Sequence, residues 1–282
     1  MKIGFVVLHY RTYDDTKKCI ESILKLQKNI DDVLEIVIVD NASNNGSMES
    51  LDRNFGGDKG IHLIKNKKNV GFAEGNNIGY RYAKNTLKCN SIVVLNNDTV
   101  IVSDNIIEKI NYYTSCKKVK IIGPDIMTLD GIHQNPMNGE LLDLHKVTTE
   151  ILRYNLLRII NFMGIYGFLH KNKNNEKTKL KKKTADINCK LHGSALIFMP
   201  EYVKNEKNAF IKGTFVYMEE DLLYLYCKNK GYMTVYDDSI KIMHNEDSAT
   251  NSLFDSSRMK REFVFKNMIR SLKVYRNFIS KQ

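Results

Sequence analysis

Four short apolar runs, at residues 3–8, 34–39, 61–64 and 92–95, punctuate the first third of the chain. They are rich in Val, Ile and Leu, the composition of strands in a buried parallel sheet. Between the first two, Cys19, Ile20, Ile23 and Leu24 recur at helical spacing behind Asp14 and Asp15, acids that favour a helix start. Helical patterns follow at 75–84 and 106–113, the latter separating the 92–95 run from an apolar strand at 119–122. Strands rich in β-branched residues that alternate with helices predict a parallel sheet. Further on, the pattern predicts a strand at 195–199, a helix at 219–230, a short strand at 241–243 and a long amphipathic helix at 258–278.

The middle breaks this rhythm. Residues 150–169 are strongly apolar, interrupted by Arg153, Asn155, Arg158 and Asn161, and lead into a Lys-rich stretch at 171–183. This reads as an apolar and basic lobe, at 145–185, inserted in one α/β domain; there is no repeat of solenoid period.

With 282 residues and 43% hydrophobic content the chain can bury a full core and is not disordered. Its five cysteines are scattered, with no C-x-x-C pair, which fits free thiols in a reducing compartment better than a disulfide framework or a zinc site. The first apolar run is too short for a signal-peptide core, and His9, Arg11, Asp14 and Asp15 follow it; no apolar stretch reaches spanning length. A cytoplasmic location is expected. The net charge is +11, and residues 171–183, with seven Lys and one Glu, supply +6 of it. Charge gathered in one segment, outside any nucleic-acid motif, argues against nucleic acid as a partner. Together with the apolar 151–169 it suits docking on an anionic membrane face, the alternative being a packed helix followed by a solvated charge run.

Polar clusters stand where the predicted strands end, and open α/β sheets bind ligands at the carboxyl ends of their strands. Asp40 follows the second run in V-D-N-A-S, where a carboxylate can accept from a base or ribose, or cap a turn. Asn96-Asn97-Asp98 closes the fourth run. Mg²⁺ or Mn²⁺ on a diphosphate takes oxygen ligands and needs only one or two protein carboxylates, so this cluster suits it; a turn is again the alternative. Between them, N-V-G-F-A-E-G-N-N-I-G at 69–79 sets a glycine at every fourth position. That gives a small-residue helix face for close packing, and a helix start whose backbone donors favour an anion; the spacing is not the dinucleotide fingerprint. Glu219-Glu220-Asp221 opens the 219–230 helix. Adjacent carboxylates raise one another's proton affinity, as a general base requires, although acids at a helix start are common. His244 follows the 241–243 strand, and a lone His is more often structural than a ligand.

Taken in order, V-V-L-H-Y, V-D-N-A-S, N-V-G-F-A-E-G-N-N-I-G, L-N-N-D-T, H-G-S-A-L-I-F-M and F-V-Y-M-E-E-D-L-L…K-G-Y resemble the family-2 glycosyltransferases. The likeness is to the bacterial rhamnosyltransferase-like and capsule-type members, and His244 with Ser248 resembles their late His motif. It runs from residue 3 to about 250. It implies the α/β GT-A fold, a Rossmann-like, mostly parallel sheet flanked by helices. The implied organisation is a single domain over 1–282, with a nucleotide-sugar half at 1–124, an acceptor and catalytic half at 125–250 and a terminal helix at 251–282.

The resemblance also implies roles. His9 and Tyr10 would lie beside the base and Asp40 would bond it, while Gly71, Asn76, Asn77, Asn96 and Asn97 would line the nucleotide. Where the family usually has Thr and Asn around Tyr10, this chain has His9 and Arg11. Asp98 would ligate Mn²⁺ or Mg²⁺ on the diphosphate, with His244 as a second ligand. Gly193 and Ser194 would border the acceptor. The catalytic Glu-Asp pair of the family falls on Glu219-Glu220, making Glu220 the base and Asp221 its rival. The implied reaction is inverting transfer from a UDP- or dTDP-linked sugar to a glycan hydroxyl. The implied acceptor is a polyprenyl-diphosphate-linked glycan of surface or capsular polysaccharide, met at the inner face of the cell membrane. A sugar nucleotidyltransferase would instead need a Gly-rich loop after the first strand, where H-Y-R-T-Y-D stands. A sugar-nucleotide-binding protein would keep the sheet and lack the base.

Overall fold

The computed structural model describes residues 1–27, 32–137, 141–166, 185–245 and 256–281; the Lys-rich 171–183 and Ser248 lie outside them. All four early apolar runs are strands, β1 (Lys2–His9), β2 (Val33–Asp40), β3 (Ile61–Lys65) and β4 (Ser91–Asn96). They lie parallel in the order β3-β2-β1-β4. Parallel neighbours need crossovers, and these are α1 (Tyr13–Gln27), α2 (Ser47–Phe55) and α3 (Phe72–Asn85). α2 escaped the sequence pattern because only Met48, Leu51 and Phe55 of its nine residues reach the core.

The second half is mixed rather than mostly parallel. After β5 (Thr99–Ile101) and α4 (Ile106–Thr114) come β6 (Val119–Thr128), α5 (Leu144–Phe162), β7 (Ala185–Ile187) and β8 (Ala195–Phe198). The short α6 (Pro200–Asn205), α7 (Glu219–Lys230), β9 (Met233–His244) and α8 (Ser257–Ile279) complete the order. β8 runs antiparallel to both β4 and β6, β6 pairs in parallel with β9, and the short β5 and β7 pair antiparallel with β9. The predicted 241–243 strand is thus the end of a strand of 12 residues.

Both faces of the sheet are buried, as the apolar runs require. Ile3, Phe5 and Val7 of β1 pack beneath α1, α2 and α4, while Val6 joins Tyr80, Phe198 and Leu223 on the other face. There α3 sits unusually close: a Cβ on Gly75 would fall 2.6 Å from Leu8 Cδ1, and one on Gly79 2.4 Å from Val6 Cγ1. Gly75 and Gly79 therefore serve helix-to-sheet packing. A third cluster joins Val147 and Ile151 of α5 to Leu222 and Leu225 of α7 and Leu272 and Tyr275 of α8. All five cysteines are free thiols. Among the described residues no helix is long and apolar enough to cross a membrane.

Candidate active site

β1, β2 and β4 end in register, with His9 opposite Asp40 and Leu8 opposite Asn96, so three predicted positions meet at one sheet edge. Their side chains are mostly engaged within the protein. His9 is fully buried, with Nδ1 2.7 Å from Thr16 Oγ1 and Nε2 2.8 Å from Ser47 Oγ. Burial pulls its pKa down to about 4, against a smaller opposing pull from Asp40, so the ring is neutral and anchors the starts of α1 and α2. Tyr10, the next residue, is half-buried, with the Arg11 guanidinium 5.5 Å from its ring centre. Asp40 Oδ1 accepts from the backbone N–H of Ser43 at 3.1 Å and from its hydroxyl.

The amides expected to line the nucleotide are likewise bonded within the protein. Asn77, fully buried, donates Nδ2 to Phe210 O at 3.0 Å and accepts from Phe210 N–H at 2.9 Å. Asn76, also fully buried, donates to Phe72 O at 3.1 Å. Asn97 Nδ2 donates to Thr12 Oγ1 at 2.7 Å and Thr16 Oγ1 at 2.9 Å. Gly71 has φ 85°, and a Cβ there would fall 2.3 Å from Phe215 O, which accepts the Phe72 N–H at 2.6 Å. Only glycine permits this contact, which locks the start of α3 against the loop leading into α7.

The turn from β4 to β5 brings Asp98 to the end of β9. Thr99 pairs with His244, and Asn245 N–H donates to Asp98 O at 2.9 Å. Asp98 Oδ1 then stands 3.3 Å from His244 Nε2, with both side chains more than nine-tenths buried. His244 Nδ1 is 2.8 Å from Gln134 Oε1, the outer contact that orients a ligating imidazole. Two donors bound at right angles about 2.1 Å from one ion sit roughly 3 Å apart, so this oxygen–nitrogen pair fits a Mn²⁺- or Mg²⁺-sized cation. Among the described residues no group of three or more His, Cys, Asp or Glu could hold a metal. An ion here would take its remaining ligands from phosphate oxygens and water, as Mg²⁺ commonly does. A cavity of about 200 Å³ lined by Asp15, Lys18, Asp98 and Asn245 opens beside the pair. Asn96 N–H donates to Ser194 O at 2.8 Å, tying the turn from β4 to β5 to the start of β8.

The three adjacent acids stand in three different environments. Tyr217 (φ 76°) and Met218 (φ 65°) are both left-handed, a strained pair costing about 1–3 kcal/mol each, and they turn the chain abruptly into α7. Glu219 is buried, and desolvation, then the Glu220 charge, push its pKa up to about 8 despite a smaller pull from Thr214. It is therefore protonated at neutral pH. Asp221 is ion-paired with Lys190 Nζ at 2.8 Å. Glu220 is half-buried, and its Oε1 accepts from Gly193 N–H at 3.1 Å. A Cβ on Gly193 would fall 2.8 Å from that oxygen, so glycine lets the carboxylate approach. Next along, Ser194 Oγ lies 2.9 Å from His192 Nδ1, and the His192 ring centre is 5.8 Å from that of His244. A continuous set of contacts thus runs from Glu220 to the Asp98–His244 pair. Lys190, His192 and Gln134 were missed by sequence reasoning; only His192, inside H-G-S, carried a local signal.

Residues 5–125 match the model of Glycosyl transferase family 2. This part of the chain is similar to that family. It contains Asp40, Gly71 and Asn96-Asn97-Asp98, while Gly193, the three acids and His244 lie beyond it. The chain is 32% identical over 133 residues to the Low-salt glycan biosynthesis hexosyltransferase Agl10 of Haloferax volcanii, a match covering 47% of this chain and 39% of that protein. It therefore spans about two fifths of the length of this curated relative. In three dimensions it resembles S. aureus TarS 1–349 in complex with UDP-GlcNAc, with a TM-score of 0.55 at 11% identity over 98% of this chain and 66% of that one. It also resembles GalNAc-T7 with UDP, GalNAc and Mn²⁺, with a TM-score of 0.58 at 14% identity over 94% and 47%. At these identities the likeness establishes the fold, that of the GT-A glycosyltransferases.

Proposed function

We propose that the protein is an inverting glycosyltransferase moving a hexosyl or rhamnosyl group from a UDP- or dTDP-linked sugar to a glycan hydroxyl. The observation that carries this reading is the sorting of the acids. Glu219 is neutral and Asp221 is paired with Lys190, whereas Glu220 sits at the Gly193–Ser194 corner, joined by contacts to the Asp98–His244 pair. Glu220 takes the proton from the acceptor hydroxyl as that oxygen bonds to the anomeric carbon; the bond from that carbon to the diphosphate breaks, and the nucleoside diphosphate leaves. Gly193 N–H holds the carboxylate in place, and Lys190 keeps the Asp221 charge occupied. Asp98 and His244 would hold a divalent cation, which when bound neutralises charge growing on the leaving diphosphate. Tyr10 supplies the half-exposed ring for the base, behind which His9, Asp40, Asn76, Asn77 and Asn97 fix the surrounding loops.

The acceptor in this reading is a polyprenyl-diphosphate-linked glycan of surface or capsular polysaccharide, met by a peripheral protein at the inner membrane face. The motif likeness and the +6 of residues 171–183 support it. Residues 1–124 serve the donor, 125–250 the acceptor and the base. Nucleotide sugars should raise the melting temperature only when Mn²⁺ or Mg²⁺ is present, because ligand binding stabilises by mass action. Glu220→Gln should keep that response and lose transfer by roughly 10²–10⁴-fold. Full activity in Glu220→Gln together with an inactive Asp221→Asn would move the base one residue on, and no response to any nucleotide sugar would end the proposal.

A further inference from the structure

α5 is apolar on two opposite sides. Val147 and Ile151 pack inward against α7 and α8. Leu152, Leu156, Ile159 and Met163, at successive spacings of four, three and four, form a stripe on the outer side, each 56–66% exposed. Phe162, at 79%, extends it. Single exposed apolar residues are ordinary, but a contiguous stripe marks an interaction surface. The start of α8 lies alongside: Asn161 Nδ2 donates to Arg258 O at 3.2 Å, and Arg158 Nε to Glu262 Oε1 at 2.9 Å. Between the two helices is a cleft of about 620 Å³, with Ile159, Phe162 and Met259 as apolar wall and Arg158 and Arg258 among its polar lining.

Charge says what the stripe meets. α5 carries three Lys or Arg against one Glu, α8 seven against one, and residues 171–183 seven against one. Those three segments hold 17 of the 43 basic and 3 of the 32 acidic residues, leaving 26 basic and 29 acidic for the rest. The positive charge of the protein is therefore confined to the two helices around the stripe and the segment joined to α5, while the remainder is slightly acidic. A symmetric pair of chains meeting through this stripe would set like charge against like charge. An anionic bilayer surface complements it in both charge and apolarity.

The position of the stripe relates it to the candidate active site. Phe263, one turn beyond Met259, packs against Phe215 with ring centres 6.2 Å apart, and Phe215 O holds the start of α3 at Gly71–Phe72. At its other end α8 meets the far end of α7, through Phe278 and Tyr226. The stripe accordingly lies toward the strand tips, where Asp40 and Asp98 sit.

We infer that the C-terminal half of α5 and the first turns of α8 form a membrane-docking face, whose apolar stripe enters the headgroup–acyl boundary of an anionic leaflet. Docked this way, the face brings the strand-tip site to the membrane surface, where a lipid-linked acceptor resides. Its purpose rests on the acceptor reading above; its test does not, because vesicle binding is measured without sugar nucleotide or metal. The chain has no Trp, so Phe162→Trp places one fluorophore on the stripe. Mixed phosphatidylcholine–phosphatidylglycerol vesicles should shift its emission to the blue and expose it to quenching by brominated acyl chains, and pure phosphatidylcholine should do so far less. Leu156→Gln/Ile159→Gln/Phe162→Gln should fold normally by circular dichroism and weaken vesicle binding on the order of 100-fold. Lys266→Gln/Lys273→Gln should weaken it less, and added salt should mimic that loss. Unchanged emission from the Phe162→Trp variant with anionic vesicles, wild-type binding by the triple Gln variant, or a dimer that this variant abolishes would each overturn the inference. Donor stabilisation by nucleotide sugar should be the same in all these variants, which keeps the outcome separate from that of the transferase reading.

Discussion

At the tips of β1 and β4 and in α3 the polar side chains are buried and bonded within the protein, His9 to Thr16 and Ser47, Asn97 to Thr12 and Thr16, Asn77 to the Phe210 backbone. At the start of α7 the polar groups are instead set apart by environment, one acid neutral in the core, one ion-paired and one half-exposed against a backbone N–H. The first region is a scaffold whose groups already have partners; the second, reached through two strained residues, keeps a carboxylate available for chemistry. Similar residue types thus do different work. Removing a member of the first should cost stability, and removing a member of the second should cost rate.

The sharpest way to break this contrast is Asp98→Asn, because Asp98 is buried like the scaffold yet assigned to the chemistry. Metal-dependent tightening of nucleoside diphosphate should fall by at least about 100-fold, since even outer contacts of a metal site cost 10–100-fold. Calorimetric titration with and without Mn²⁺ reads this directly. A folded variant whose binding still depends on Mn²⁺ would return Asp98 to the scaffold.

Asn77→Ala tests the other side. It leaves the Phe210 N–H and C=O without partners, a loss of about 2–4 kcal/mol that should lower the melting temperature by several degrees. Donor affinity of the folded enzyme should hardly change. A stable Asn77→Ala protein with a much weakened donor would mean that this amide meets the ligand after all.

In pH dependence the two regions have opposite signs. His9 is held near 4 in the folded chain against 6.5 unfolded, so the unfolded state takes up its proton first and stability falls as pH drops from about 6.5 toward 4. Glu219 is held near 8 against 4.5. The folded chain keeps a proton that the unfolded chain releases, so this contribution is intact below pH 4.5 and lost as pH rises toward 8. Glu219→Gln should flatten the alkaline limb of a melting-temperature profile and leave the acid limb alone. An unchanged alkaline limb would show that Glu219 ionises normally.

The alternating strands and helices of the first half were legible in the sequence because parallel strands covered on both faces are mostly apolar, and β1, β2 and β4 are. The Asn-Asn-Asp tip, the Glu-Glu-Asp run and the α7 boundaries were legible too, being local signals at the ends of elements. The mixed second half of the sheet was not, since β5 and β7 have only three residues each and owe their existence to the edge of β9. Nor could spacing separate Glu219, Glu220 and Asp221, which are equivalent on paper.

Order and chemistry along the chain were therefore determined by the sequence itself: which segments are buried, where polar groups end strands, which acids open a helix. The tertiary structure decided which of those groups already have partners. Lys190 is 31 residues from Asp221, Phe210 is 133 from Asn77, and His244 reaches Asp98 only because β9 pairs with β5. Desolvation and pairing depend on neighbours brought together by folding, and those neighbours set whether an identical side chain serves as scaffold or as reagent.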